Sequence, residues 1–380
     1  MIKTHKLSSM MALISLLCLL TALPGQAASG SDIWLEFFTH GDIDRALSAF
    51  EESVSESSGD ALAHAGLAML APSRQTDIDV VEHYFLALEN GLDTPQAAYY
   101  LEEIQRKISG QEEYAEAVKR YERMLKGNEL NAFLRDSLQF YRAKLLQKLG
   151  RWEEAEAAFN QLNFITSFWY CGVFDNAEKG GHEQTFGPEE NLDLRVAYKG
   201  KRGQVNWRPI PLQPYDGYID LHGFAAPSKE ASTYLVTQLN SSQNQQCTLK
   251  LGHAGAVKGW LNGEPVLDVA RYHPVQPDQV VVDITLQKGN NILLLKISSS
   301  ETGKYGFYLR MIPQNDGFIT VDNLKGNEDL TASTPKSSQL PDSDVLIEPK
   351  PFQQLKALAD APEARPYHLL FYALLLQRLH

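Results

Sequence analysis

The apolar residues of this 380-residue chain change period at about Leu162. Before it they recur at three to four residues, the spacing of one helix face. After it they alternate, as in strands with one face buried. A chain that switches period once is expected to hold a helical part and then a β part. Within the helical part a second, longer period runs. Ala46, Phe50 and Ser53 stand at i, i+4 and i+7, and so do Val81, Phe85 and Leu88. Ala117, Tyr121 and Met124 follow, then Ala155, Phe159 and Leu162. Their first members lie 35, 36 and 38 residues apart, a spacing that predicts stacked helix pairs over residues 28–162. A small residue lets two helices approach, and an aromatic one turn later fills the groove to the next pair. Gly41 and Gly150 each precede the small position by five residues, where a left-handed turn can join the paired helices. The aromatic stripe, with Tyr99, Tyr100 and Phe140, is expected to be core.

These residues resemble the tetratricopeptide repeat, most closely from Gly150 to Leu162 and well from Gly41 to Phe50. The middle two copies depart from the pattern: Val81 replaces the small residue, and neither has the turn Gly at that position. The resemblance implies a curved stack that binds a protein or peptide on its concave face.

Residues 163–325 are expected to form a β-sandwich of roughly ten strands. Val280, Val282 and Ile284 alternate with polar neighbours or Val281; Tyr305, Phe307, Leu309 and Met311 make another row. Ile292–Ile297 is almost continuously apolar and reads as a strand buried on both sides. Asn262-Gly263 after Trp260-Leu261 predicts a hairpin turn, and Gly289-Asn290-Asn291 marks another. Trp169 to Asn176, Gly187 to Glu190, Gly203 to Trp207 and Gly217 to Leu221 resemble, in order, a module found beside tetratricopeptide repeats in secreted bacterial proteins. Ala231 to Leu239, Lys258 to Gly263 and Lys288 to Lys296 resemble the galactose-binding-like jelly roll. That resemblance implies a fold and leaves the ligand open. Trp260 and Asn262 either meet a sugar or fill the sandwich core and the turn. Trp207 and Tyr272 are the better candidates for exposed stacking on a ligand.

The first 27 residues read as a secretory signal. Lys3 and Lys6 precede an apolar run from Leu7 to Leu23, and cleavage is expected after Ala27 or Ala28. Its loss would take the formal charge from −12 to −14 and leave Cys171 and Cys247. In an oxidising compartment these two either form a disulfide or remain buried thiols. An acidic chain of this kind is a poor general binder of nucleic acid, which needs a basic face. A periplasmic or secreted protein without a membrane span after cleavage is the expectation. Residues 326–351, rich in Pro, Ser and Thr, read as an extended linker. Residues 352–380 read as a helical segment that opens a further repeat, either a fragment's unfinished end or a helix packed back on the array.

No HExxH, CxxC, GxSxG or Walker pattern occurs, and no cofactor is expected. His182-Glu183 with Glu189-Glu190 is a weak metal set, because ligands so close in sequence need a particular fold to converge. Cys171, between Tyr170 and Gly172 in an expected strand, has no activating helix N-terminus. The chain is therefore expected to be non-catalytic: an envelope binding or scaffold protein. The alternatives are the recognition arm of a larger transglutaminase-like peptidase, or a carbohydrate-binding module.

Overall fold

The computed structural model describes residues 28–380 except 75, 128–129, 301–303, 315, 338–348 and 380. The expected signal segment 1–27 lies outside the described residues. The chain is mixed α and β, helical first and strand-rich afterwards. It divides into two compact units, 1–90 and 91–380, so the unit boundary does not fall at the change of period.

The first unit holds α1 (Gly30–His40), α2 (Ile43–Glu56), α3 (Ala61–Leu70) and α4 (Val80–Asn90). Gly41 takes φ 70° between α1 and α2, as its place in the repeat requires. Asp42 caps α2 by accepting from the Arg45 amide at 3.0 Å. Asp60 caps α3 and also accepts from the Gly30 amide at 2.6 Å and the Ser53 hydroxyl at 3.1 Å. One carboxylate thus ties the starts of α1 and α3 to α2. Ala46, Phe50 and Ser53 are buried, as the stripe predicts. A Cβ on Gly66 of α3 would enter the Phe50 ring well inside van der Waals contact. Gly66→Ala is therefore expected to cost ~1–3 kcal/mol by overpacking, despite the better helix propensity of Ala. A urea midpoint equal to or above that of the parent chain would show that the Phe50 ring yields.

The second unit begins with α5 (Ala97–Lys107), α6 (Gln111–Leu125), α7 (Ala132–Lys148) and α8 (Trp152–Asn160). Gly150, at φ 73°, joins α7 to α8. Gly110, at φ 84°, joins α5 to α6 and supplies the turn two residues earlier than the repeat pattern places it. Ala117, Tyr121, Met124, Ala155, Phe159 and Leu162 are all buried.

Two larger antiparallel sheets and a two-stranded one follow. Their strands are β1 (Trp169–Asp175), β2 (Tyr198–Lys199), β3 (Gln204–Val205), β4 (Arg208–Pro209), β5 (Ile219–Asp220), β6 (Ala231–Ser241), β7 (Gln245–His253), β8 (Ala256–Leu261), β9 (Glu264–Val269), β10 (Val280–Leu286), β11 (Gly289–Ser298), β12 (Gly306–Pro313) and β13 (Ile319–Asp322). The larger sheet runs β4-β1-β6-β11-β8-β9, with β13 also on β6; the smaller runs β10-β7-β12-β5, and the two-stranded one pairs β2 with β3. Leu235, Val257, Leu293 and Leu295 of the large sheet share a core with Leu249, Val282, Phe307 and Leu309 of the small one. Asn262 takes φ 52° and Gly263 φ 82° in the expected hairpin turn.

The large sheet is covered on its other face as well, which explains the two-sided apolar run of β11. Leu294, Val236, Tyr234 and Cys171 there meet Leu192, Tyr198, Trp207 and Leu330 in a second core. This cover includes a short helix, α9 (Gly187–Glu190). Trp260 belongs to this second core rather than to the space between the sheets, and its indole N–H donates to the Ser337 carbonyl at 2.9 Å. The expected linker is docked as far as Ser337: Leu330 is buried, and the Lys336 amide donates to Gly263 O at 2.9 Å. After residues 338–348, outside the described set, come α10 (Lys350–Asp360) and α11 (Pro366–Leu379). Phe371 of α11 is fully buried against Tyr99 and Tyr100 of α5, with ring centroids 5.5 and 5.6 Å apart. The apolar last helix thus packs back on the helical part.

Candidate functional site

Alternation along β12 sends Phe307, Leu309 and Met311 into the sandwich and Tyr308 and Arg310 to the other face. Arg310 stands directly opposite Lys250 of β7. Two cations in that position repel unless carboxylates lie between them. Two carboxylates do. Asp278, in the loop before β10, accepts from Arg310 Nε at 2.8 Å and again from its Nη2, and lies 3.5 Å from Lys250. Asp136 of α7 accepts through Oδ2 from Arg310 at 2.5 Å and Lys250 at 2.9 Å. Burial pushes the Asp278 carboxyl up, but Arg310 and then Lys250 outweigh it and hold it below the usual carboxylate range.

The rest of the α7 stripe packs on the same sheet face. Phe140 meets Tyr308 edge-on at 5.5 Å, Lys144 pairs with Asp216 at 2.8 Å, and Gln147 donates to the Tyr215 hydroxyl at 2.5 Å. From α5, Glu102 accepts from the Tyr141 hydroxyl at 2.5 Å and from Gln276 at 3.5 Å. Burial, then the Glu102 charge, pushes the Tyr141 phenol well up, so it stays protonated. The helix faces of α5 and α7 are therefore taken by the chain's own sheet and C-terminal helices. Between them remains a cavity of about 40 Å³, bordered by Glu102, Phe133, Asp136, Phe140, Phe164 and Gln276, with Phe352 and Leu375 on the C-terminal side.

A second polar cluster lies on the covered face of the large sheet. Lys296 of β11 is wholly buried. Its ammonium donates to Glu189 at 2.9 Å, to His182 O at 3.1 Å and to Gln184 O at 2.6 Å, and Glu189 also accepts from the Tyr234 hydroxyl. Burial pulls the Lys296 pKa down against the opposing pull of Glu189. Beside it His182 Nε2 and Asp268 Oδ1 are 2.8 Å apart, and ligand atoms of His182, Glu183 and Asp268 fall within 4.8 Å of one another. This trio has the chemistry of a metal set, but it already holds a cation. The Lys258 ammonium lies 2.9 Å from Glu183 and 3.4 Å from Asp268. Glu189, which the sequence groups with His182, pairs with Lys296 instead, and Asp268 of β9 takes its place.

The residues expected to stack on a ligand are engaged within the chain. Trp207 is only 4% exposed, in the second core, with its indole N–H 3.5 Å from the Tyr198 hydroxyl. Tyr272 is half-buried; the Lys179 ammonium lies 4.7 Å above its ring, and Asn176 donates to its hydroxyl at 3.3 Å. Of the two alternatives for the cysteines, the thiols are free and buried. Cys171 lies in the second core and Cys247 between the sheets, on opposite faces of the large sheet, which is why they do not pair. Burial pushes the Cys171 thiol far up and that of Cys247 to about 11, so neither is a thiolate nucleophile at neutral pH.

Sequence reasoning missed Asp136, Asp278, Lys250 and Arg310. Lys250 and Arg310 each interrupt an apolar strand at a position where the flanking residues point inward, a pattern that an ordinary solvent-facing position shares.

No family model matches this sequence, and no curated protein matches it. Two solved structures of a β-glucosidase from Kluyveromyces marxianus, one selenomethionine-labelled and one in complex with glucose, are similar to 39% of this chain at 14% identity. Their TM-scores are 0.26 and 0.27, and the chain spans 16–17% of their length. At those scores the likeness carries no argument about this chain.

Proposed function

We propose that the chain is a non-catalytic binding or scaffold protein of the cell envelope, built from tetratricopeptide-like helix pairs and a galactose-binding-like jelly roll. The observation that carries this reading is that its charged clusters are consumed in holding layers together. Asp136 and Asp278 are spent on Arg310 and Lys250, Glu189 on Lys296, and Asp268 and Glu183 on Lys258. A catalytic acid, base or nucleophile needs a reacting atom within reach, and these groups face one another. The buried thiols point the same way. The carbohydrate reading is weakened with Trp207 buried and one face of the half-buried Tyr272 ring taken by Lys179.

The helical part then has two tasks. In the second unit its α5 and α7 faces form a base for the sheet. A partner is left the cavity beside that junction and the outer helix surfaces, where Trp152 is 60% exposed. Affinity capture from envelope extract with the full chain is expected to recover one partner reproducibly, and Phe133→Glu at the cavity is expected to abolish its retention. Turnover of a glycoside or peptide substrate by the pure chain, or retention unchanged by Phe133→Glu, would overturn the proposal.

A further inference from the structure

We infer that His64 of α3 and His83 of α4 form a site for a divalent transition metal such as zinc, and that the ion clamps these two helices together. The first argument is the placement of protons on the two rings. His64 Nε2 lies 3.1 Å from the Ser58 carbonyl oxygen, which can only accept. In the neutral ring that nitrogen therefore carries the proton, and Nδ1 is a bare lone pair. His83 Nδ1 lies 2.9 Å from that lone pair and so carries its own proton, aimed at it. The two Nδ1 atoms thus face the same point, which is where an ion bound by both would sit. Exchanging this hydrogen bond for a metal costs no net proton. The His83 proton moves from Nδ1 to Nε2, and His64 keeps its own on Ser58.

The second argument is geometry and support. Imidazole nitrogens bind zinc at ~2.0–2.1 Å, so a tetrahedral ion sets two of them ~3.3 Å apart. From 2.9 Å the rings need to part by only ~0.4 Å. Both histidines stand on packed helices. The Ser58 carbonyl, which also accepts from Asn90 Nδ2 at 3.2 Å, orients the His64 ring as outer carbonyls orient metal-bound imidazoles. His64 is buried and His83 half-buried, so an ion between them is shielded on one side and reachable from the other. Two protein ligands leave two positions of a tetrahedral ion for water.

The third argument is charge. Unlike the His182 trio, this pair holds no lysine or arginine among the described residues. Residues 28–90 contain two arginines and no lysine, and Arg45 and Arg74 pair with Glu36 and Asp44 instead. The carboxylates of Asp79 and Glu82, at the start of α4, act on the His83 ring in the direction that favours positive charge. Two nitrogen ligands select zinc, nickel or copper over calcium and magnesium, which take oxygen.

The test uses the full chain, freed of metal with a chelator and then titrated with zinc or magnesium chloride. Long-range proton–nitrogen NMR correlations of the histidine rings report their tautomers. Without metal, His64 is expected as the Nε2–H form and His83 as the Nδ1–H form. Zinc is expected to convert His83 to the Nε2–H form and to leave the His182 ring unmoved. Calorimetry is expected to give one equivalent of zinc and no magnesium. His83→Gln is expected to weaken zinc by at least roughly tenfold, the loss usual even for an outer partner of a ligand. Glu183→Gln, which removes the exposed carboxylate of the other trio, is expected to leave zinc binding unchanged. Zinc should also raise the urea midpoint of the parent chain and not that of His83→Gln. If His83→Gln does not fold, the tautomer change in the parent decides alone. Absence of zinc binding, binding that survives His83→Gln, binding lost in Glu183→Gln, or a His83 ring that keeps its Nδ1 proton under saturating zinc would overturn the inference. The pair would then be an ordinary hydrogen bond between imidazoles. None of these outcomes bears on the scaffold reading, which this inference goes beyond.

Discussion

Lys296→Met is expected to be among the most damaging single substitutions in the second unit, at ~3–5 kcal/mol, because it strands the buried Glu189 carboxylate and frees two carbonyls of the 182–184 segment. The lost attraction is only part of this cost. Glu189 is 4% exposed by side chain and, among the described residues, keeps only the Tyr234 hydroxyl as a donor. Burial already pulls Lys296 toward neutrality, so the native pair itself is dearly held. It follows that Lys296→Met combined with Glu189→Gln should recover much of the loss. The amide still accepts from Tyr234, and no charge remains in the core. Urea unfolding of the parent, both single variants and the double gives the coupling directly. Additive losses would mean that the two residues act separately and not as one buried pair.

Arg310→Met is expected to cost a similar ~3–5 kcal/mol, and here the pH dependence identifies the cause. In the parent chain the Asp278 carboxyl is held below its unfolded value of about 3.9. Its contribution is thus fully present above that value and is lost as pH falls through the depressed folded value. Without Arg310, burial has only Lys250, 3.5 Å away, to oppose it, and the carboxyl is pushed up instead. The variant's deficit should then be greatest near neutral pH and shrink as the carboxyl protonates below about pH 5. Midpoints measured at neutral pH and near pH 4 decide this. A deficit constant with pH would attribute the loss to packing of the guanidinium stem rather than to the stranded charge. Because Asp136 lies on α7 and Arg310 on β12, the substitution should also loosen the helices from the sheet. Hydrogen exchange in α7 would report that loosening.

Both predictions concern charges that a linear reading passes over, and the reason is physical. Lys250, Lys258, Lys296 and Arg310 stand in strands whose neighbours are apolar. In sequence Lys250, Lys258 and Arg310 look like the solvent side of a half-buried strand, and Lys296 is a single charge in a run otherwise read as buried on both sides. That inference holds only if the sheet has a wet face. Here helices cover one outer face and the 176–207 and 324–337 segments border the other, so the outward positions are inside. The same error, in the other direction, made Trp207 look like an exposed platform.

What the sequence determined by itself is what depends on neighbours along the chain. The change of period at Leu162, the i, i+4, i+7 stripes, the turn at Asn262-Gly263 and the left-handed Gly41 and Gly150 are local, because helix and strand geometry repeat over a few residues. What only the tertiary structure decided is which surfaces become interior. The unit boundary at 90/91, the face of α7 turned to β12, the separation of Cys171 from Cys247 and the meeting of Asp136 with Arg310 each join residues far apart in sequence. A carboxylate 174 residues from its guanidinium leaves no periodic trace. Its position is set by how layers stack, and the layers stack where burying apolar surface outweighs the cost of taking those charges out of water.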